Sequence, residues 1–194
     1  MRSLADMARG LNSPRLILVT DSLRLADPLP AIAKLPHGAW VLFRHYDHPQ
    51  REALGRAIAR LCRAKRLSLL VAGDFALALR LKAQGVHLPE YGLRHPAPAL
   101  RLWARHKGQL TAACHSRQAL RQAKDWGVSA AFLSPVFPTQ SHPGQGCLGP
   151  MRFRQLTRQS AVPVIALGGV NRQTIALLRH SGATGIAAIA GFSS

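Results

Sequence analysis

Acidic residues are scarce in this 194-residue chain: 8 Asp plus Glu stand against 26 Lys plus Arg, a formal net charge of +18. Such a field disfavours cationic partners and speeds encounter with anions, from phosphorylated metabolites to nucleic acid, in a salt-dependent way. Cysteine is also sparse. Cys62, Cys114 and Cys147 are odd in number and widely spaced, which argues against a disulfide framework or a zinc module and leaves small buried or neutral thiols. There is no uninterrupted apolar run of about 18 residues, so no membrane partner is expected. The opening MRSLADMARGLNSP carries Asp6 and lacks the long apolar centre of a secretion signal, and the expectation is a soluble, cytoplasmic protein. Aromatic residues make up only 6% of the chain and offer few stacking platforms. No nucleic-acid module accompanies the charge, so specific nucleic-acid binding is not expected.

Apolar residues, at 47%, suffice for one substantial core, and no linker or low-complexity tract divides the chain, so residues 1–194 read as a single domain. Eight apolar runs read as strands: 15–20, 39–44, 67–72, 85–88, 109–114, 130–135, 163–168 and 185–190. Amphipathic segments lie between them. In REALGRAIARLCRAKR, Leu54, Ala57, Ile58 and Leu61 recur at helical spacing while Arg56, Arg60 and Arg63 mark a solvated face. Further helices are expected over 75–84, 97–107, 116–126, 150–160 and 171–181, several of them stopped by a glycine.

Continuous apolar strands alternating with helices imply a parallel sheet covered by helices, and eight such units imply an α/β TIM (β/α)8 barrel. An open doubly wound sheet is the alternative, but VTDSLRLAD after the first strand is not a glycine-rich dinucleotide turn. Only Gly191 to Ser194 follow the eighth strand, too few for an eighth helix. The apolar groove this would leave is expected to be covered by the N-terminal segment 1–14, through Leu4, Met7 and Leu11, or by a second subunit in a homodimer.

In such barrels function gathers at the C-terminal ends of the strands, and the loops after strands 7 and 8 commonly bind phosphate through backbone N–H groups. ALGGVN places Gly168 and Gly169 after strand 7, and IAGF places Gly191 after strand 8. After strand 6, the loop in LSPVFPTQSHPGQG offers the hydroxyls of Thr139 and Ser141, with Pro135 and Pro138 restricting the chain and His142 following. A rigid hydroxyl-bearing loop at a barrel mouth suits an anionic guest.

These stretches carry a resemblance. LSPVFPTQSH, VPVIALGGV and SGATGIAAIAG, with DFALALRLKAQGVHLPE earlier, resemble the thiamine phosphate synthase and thiazole tautomerase (TenI-like) family over nearly the whole chain. The resemblance implies a TIM barrel acting in thiamine biosynthesis. Its synthases are transferases that join hydroxymethylpyrimidine diphosphate to thiazole phosphate with magnesium's help; its tautomerases isomerise the thiazole phosphate. A phosphorylated thiazole or pyrimidine metabolite is therefore the implied small-molecule partner.

Position by position, the resemblance is uneven. The family's Thr-x-Thr corresponds to Thr139, Gln140 and Ser141, its Gly-Gly to Gly168 and Gly169, and its strand 8 ending to Ile189 and Ala190, where a serine is usual. Gly191 completes that turn. The Gln-x-Arg-x-Lys after strand 2 reads Leu42, Phe43, Arg44, His45 and Tyr46, keeping only the arginine, which would face a second anionic group. Asn-Asp-Asp after strand 3 reads Ala72, Gly73 and Asp74, and the acid of Gly-Gln-Glu-Asp falls at Gly92. A serine after strand 5 becomes Ala113, and the lysine after Thr-x-Thr becomes His142. Magnesium prefers carboxylate oxygens, so loss of both matched aspartates argues for loss of the metal, with Asp74 and Glu90 as the neighbouring substitutes. The tautomerase histidine after strand 6 matches Pro135, which leaves His115 and His45 for proton transfer, while His87, inside strand 4, reads as structural. Two readings follow: a synthase with an eroded diphosphate side, or a relative that binds a phosphometabolite without coupling it or isomerises thiazole phosphate.

Overall fold

The computed structural model describes residues 15–94, 98–106, 108–139 and 146–189. Eight strands, Arg15–Val19 (β1), Trp40–Phe43 (β2), Ser68–Ala72 (β3), Gly85–Leu88 (β4), Gln109–Cys114 (β5), Ala130–Leu133 (β6), Val164–Leu167 (β7) and Gly185–Ala188 (β8), pair parallel in chain order. The last closes on the first, from Arg15 beside Gly185 to Leu18 beside Ala188. The barrel expected from the alternation of strands and helices is therefore present.

Strand periodicity explains how one apolar sheet serves two cores. Successive side chains point to opposite faces. Ile17, Val19, Leu42, Leu70, Phe132 and Ile165 fill the barrel interior, while neighbours such as Leu18, Val41, Leu69, Val71 and Leu133 pack outward against the helices. Each fully buried side chain of this size contributes about 1.5–3 kcal/mol, which is why both faces read as continuous hydrophobic runs.

The surrounding helices are Leu29–Ala33 (α1), Arg51–Ala64 (α2), Phe75–Leu81 (α3), Pro98–His106 (α4), Arg117–Trp126 (α5) and Gly149–Gln159 (α6). In α2, Ile58, Ala59 and Cys62 are buried and the arginines of the opposite face are exposed, as the spacing implies. Asp74 caps α3 by accepting from the Leu77 N–H at 2.8 Å, and Ser116 caps α5 through Ala119 N–H at 3.1 Å. Gly127 ends α5 in the left-handed conformation, as the WG signal indicates.

Two elements differ from the sequence expectation. The helix expected over 171–181 is a single 3-10 turn, Ile175–Leu178 (η2), because Ile175 and Leu178, its two buried residues, stand three apart, the period of a 3-10 helix. Conversely, α1 forms within DPLPAIAKLP, where Pro30 sits in the first turn, a place that costs no hydrogen bond, and Ile32 is fully buried. A further 3-10 turn, Glu90–Arg94 (η1), follows β4. The expected N-terminal cover, residues 1–14, and the chain after Ile189 lie outside the described residues. Among the described residues, no helix is long and apolar enough to cross a membrane.

Candidate functional site

A cavity of about 1180 Å³ opens where the strands end. Of the residues singled out from sequence, Arg44, His115, Thr139, Gly168, Gly169 and Ile189 all line it. Ser141, His142, Ala190 and Gly191 lie outside the described residues.

The loops after β6 and β7 meet backbone to backbone. Val136 N–H donates to the Leu167 carbonyl and Phe137 N–H to that of Gly168, each at 3.0 Å. Gly168 and Gly169 have φ of +91° and +65°. A Cβ on Gly168 would lie 2.8 Å from the Cα of Pro135, and one on Gly169 2.5 Å from the Pro138 carbonyl oxygen. Both conformation and crowding therefore require glycine here. Asn171 and Thr174 brace the far side of this turn: Asn171 N–H donates to Thr174 Oγ1 at 3.0 Å, and Thr174 N–H to Asn171 Oδ1 at 3.1 Å. The Thr174 hydroxyl also donates to the Gly169 carbonyl at 2.9 Å, so the glycine backbone is held at the rim.

On the opposite wall, Arg44 follows β2 and its N–H donates to Thr20 Oγ1 at 2.9 Å, tying the first two strand ends together. Tyr46, two residues on, also lines the cavity, and burial pushes its phenol up against the opposing pull of the Arg44 charge. His115 is exposed at the end of β5, with Nδ1 2.8 Å from the Ser134 carbonyl oxygen. Since a carbonyl only accepts, Nδ1 carries the proton, and in the neutral ring Nε2 is the acceptor. Glu90 accepts the His115 N–H at 2.7 Å.

The other histidine considered for proton transfer, His45, is placed differently. It is 1% exposed, 2.8 Å from Thr20 Oγ1 and stacked on Phe43, and it does not line the cavity. Burial lowers its pKa. His87, read as structural from its place inside β4, does form part of the cavity lining. It contacts Thr111 Oγ1 at 3.0 Å and packs edge-on against Phe132, and burial lowers its pKa to about 3. Period-two alternation puts it on the interior face, a signal available in the sequence. Cys62 and Cys114 are buried, with burial pushing both thiols up to about 12. Cys147, by contrast, is exposed at the cavity rim.

Asp74 does not line the cavity. Besides capping α3, it accepts from Arg51 Nη1 at 3.2 Å, and the same guanidinium reaches the Ala72 carbonyl at 2.8 Å. The ring of Tyr46 covers neighbouring Gly73. Among the described residues Glu90 is the one carboxylate in the cavity lining, and no group of three or more His, Cys, Asp or Glu is arranged to hold a metal ion. The magnesium ion implied by the family's chemistry is thus not matched by these residues, because a hard divalent cation needs several oxygen ligands at one point.

A closed parallel barrel with its cavity at the strand ends defines the class, a (β/α)8-barrel protein. Residues 16–192 match the family model described as thiamine monophosphate synthase, and the chain belongs to that family, whose biosynthetic product is thiamine phosphate. It is 30% identical over 184 residues to a protein of Aquifex aeolicus (strain VF5) provisionally named thiamine-phosphate synthase 2, covering 92% of this chain and 97% of that protein. It is also 30% identical over 146 residues to the thiamine-phosphate synthase of Thioalkalivibrio sulfidiphilus (strain HL-EbGR7), covering 75% and 68%. A solved thiamine phosphate pyrophosphorylase from Pyrococcus furiosus superposes with a TM-score of 0.74 at 23% identity, covering 91% of this chain and 86% of that one, a likeness of fold.

Proposed function

We propose that the cavity binds thiazole phosphate at Thr139, Gly168, Gly169 and the turn after β8, and that the chain couples it to hydroxymethylpyrimidine diphosphate. The observation that carries this reading is the convergence of Thr139, the glycine pair and Ile189 on one cavity that Arg44 lines from the end of β2 and His115 from the end of β5, beside the β6 loop. Among the described residues neither glycine commits its N–H to a protein acceptor, and both can approach a phosphoryl oxygen without a side chain intervening.

In the coupling, the thiazole nitrogen attacks the pyrimidine methylene. A C–N bond forms, the methylene–oxygen bond breaks, and the diphosphate leaves with the electron pair. Held ends leave the two reacting atoms facing each other, which converts an encounter between solutes into an intramolecular step. Arg44 stabilises the charge growing on the departing diphosphate. Nε2 of His115, when the ring is protonated, donates to an oxygen of the departing diphosphate and so eases its release. Magnesium, where a synthase carries it, would supply further charge neutralisation; no step here is assigned to it.

Incubating purified protein with both substrates and measuring thiamine phosphate by mass spectrometry tests the proposal. Formation of product at a rate proportional to enzyme is expected. Binding of thiazole phosphate without product would leave a ligand-binding relative, and its isomerisation alone would leave a tautomerase.

A further inference from the structure

Three guanidinium groups reach the same cavity from separate elements: Arg24 from the loop after β1, Arg44 from the end of β2 and Arg152 from the first turn of α6. We propose that they form a metal-independent clamp for the diphosphate, in place of a carboxylate-bound magnesium ion. This rests on the reading above, since it assigns the other half of the same cavity.

The charge balance of the lining favours an anion held by protein alone. Among the described residues three arginines line it and one carboxylate, Glu90, whose Oε2 already accepts the backbone N–H of His115. Arg24 is held by Asp21, Nη2 to Oδ2 at 3.6 Å, and the backbone of Arg44 is fixed by its N–H bond to Thr20 Oγ1 at 2.9 Å. Planar guanidinium groups pair with phosphate oxygens through two parallel hydrogen bonds, which a magnesium-bridged site achieves instead through metal–oxygen bonds. Where a metal-binding carboxylate would have to stand after β3, Gly73 is roofed by Tyr46 and Asp74 is spent on the α3 cap and Arg51. Three arginines and a single carboxylate thus share the described lining of one cavity, and the two facts fit together: an arginine cluster beside bound magnesium would repel it.

The chain's charge of +18 attracts any polyanion, so the test needs an internal control. Arg56, Arg60, Arg63, Arg80 and Lys82 line a separate basic cleft of about 430 Å³ outside α2, and Arg60 serves that purpose. Inorganic pyrophosphate is titrated calorimetrically into the full chain in EDTA and again with magnesium, and thiazole phosphate is titrated in parallel. Saturable binding in EDTA, with a Kd within about twofold of that in magnesium, is expected. Arg152→Ala and Arg44→Ala should each weaken it about tenfold or more, Arg152→Lys should recover part of the loss, and Arg60→Ala should leave it unchanged. Binding that requires magnesium overturns the clamp, as does equal weakening by Arg60→Ala or none by Arg152→Ala. If thiazole phosphate binds and pyrophosphate does not, the clamp fails while the cradle stands; if neither binds, both fail.

Discussion

The ring of Tyr46 lies over Gly73, so that a Cβ on the glycine would stand 3.2 Å from Cε1 of the tyrosine. The glycine also has φ +70°, a conformation that disfavours any side chain. The position that the family resemblance assigns to a metal-binding aspartate is therefore disfavoured for a side chain by its backbone conformation and crowded by the Tyr46 ring. Gly73→Asp is expected to lower stability by about 1–2 kcal/mol and to leave magnesium affinity unchanged. Chemical denaturation and calorimetric titration with magnesium check this; a gain in magnesium binding would show that the site is one substitution from being restored.

Asp74 stabilises the fold through the α3 cap and its contact with Arg51. Asp74→Ala should cost about 1–2 kcal/mol in denaturant unfolding, with most of that loss recovered in Asp74→Asn or Asp74→Ser, which keep a capping oxygen. Abolished pyrophosphate binding in all three variants at unchanged stability would instead place Asp74 in ligand binding.

His87 couples folding to acid. Its folded pKa, lowered to about 3 by burial, is below the unfolded value of about 6.5, so between these values the unfolded chain binds the extra proton. Stability should accordingly fall as pH drops from about 6.5 towards 3, by an amount on the order of a few kcal/mol. His45, lowered in the same direction by burial, adds to the slope. His87→Asn should flatten the dependence of denaturation midpoint on pH; an unchanged slope would assign the acid sensitivity elsewhere.

Most of the barrel is legible in the chain because each strand is buried on both faces and is bounded by a helix with readable signals, such as Ser116 at the start of α5 and Gly127 at its end. The glycine pair and Thr139 are legible for a related reason: a barrel fixes which strand ends share a mouth. What escaped depends on side-chain direction. Asp74 read as a neighbouring carboxylate, though an aspartate before FALALRL is also an N-cap signal, and the cap is what forms. His87 read as structural, yet its strand face points it into the cavity floor. Arg24 and Arg152 are two among 26 basic residues, and nothing local marks them; only closure of the barrel brings them to Arg44.

His115 offers Nε2 at the rim because Ser134 holds the proton on Nδ1. His115→Gln should reduce turnover on the order of 10²-fold while leaving the Kd for thiazole phosphate unchanged. A fall in kcat at unchanged Kd would support a role in the reaction, whereas equal loss of binding or unchanged turnover would reduce the residue to packing.

The most direct measurement is a titration of the purified chain with thiazole phosphate at roughly 0.3 M salt, where long-range attraction by the surface is screened. Saturable one-to-one binding that weakens about tenfold in Thr139→Val, through loss of one hydroxyl beside the glycine turn, is the expected result. Absence of saturation, or an affinity that ignores Thr139, would contradict the phosphate cradle.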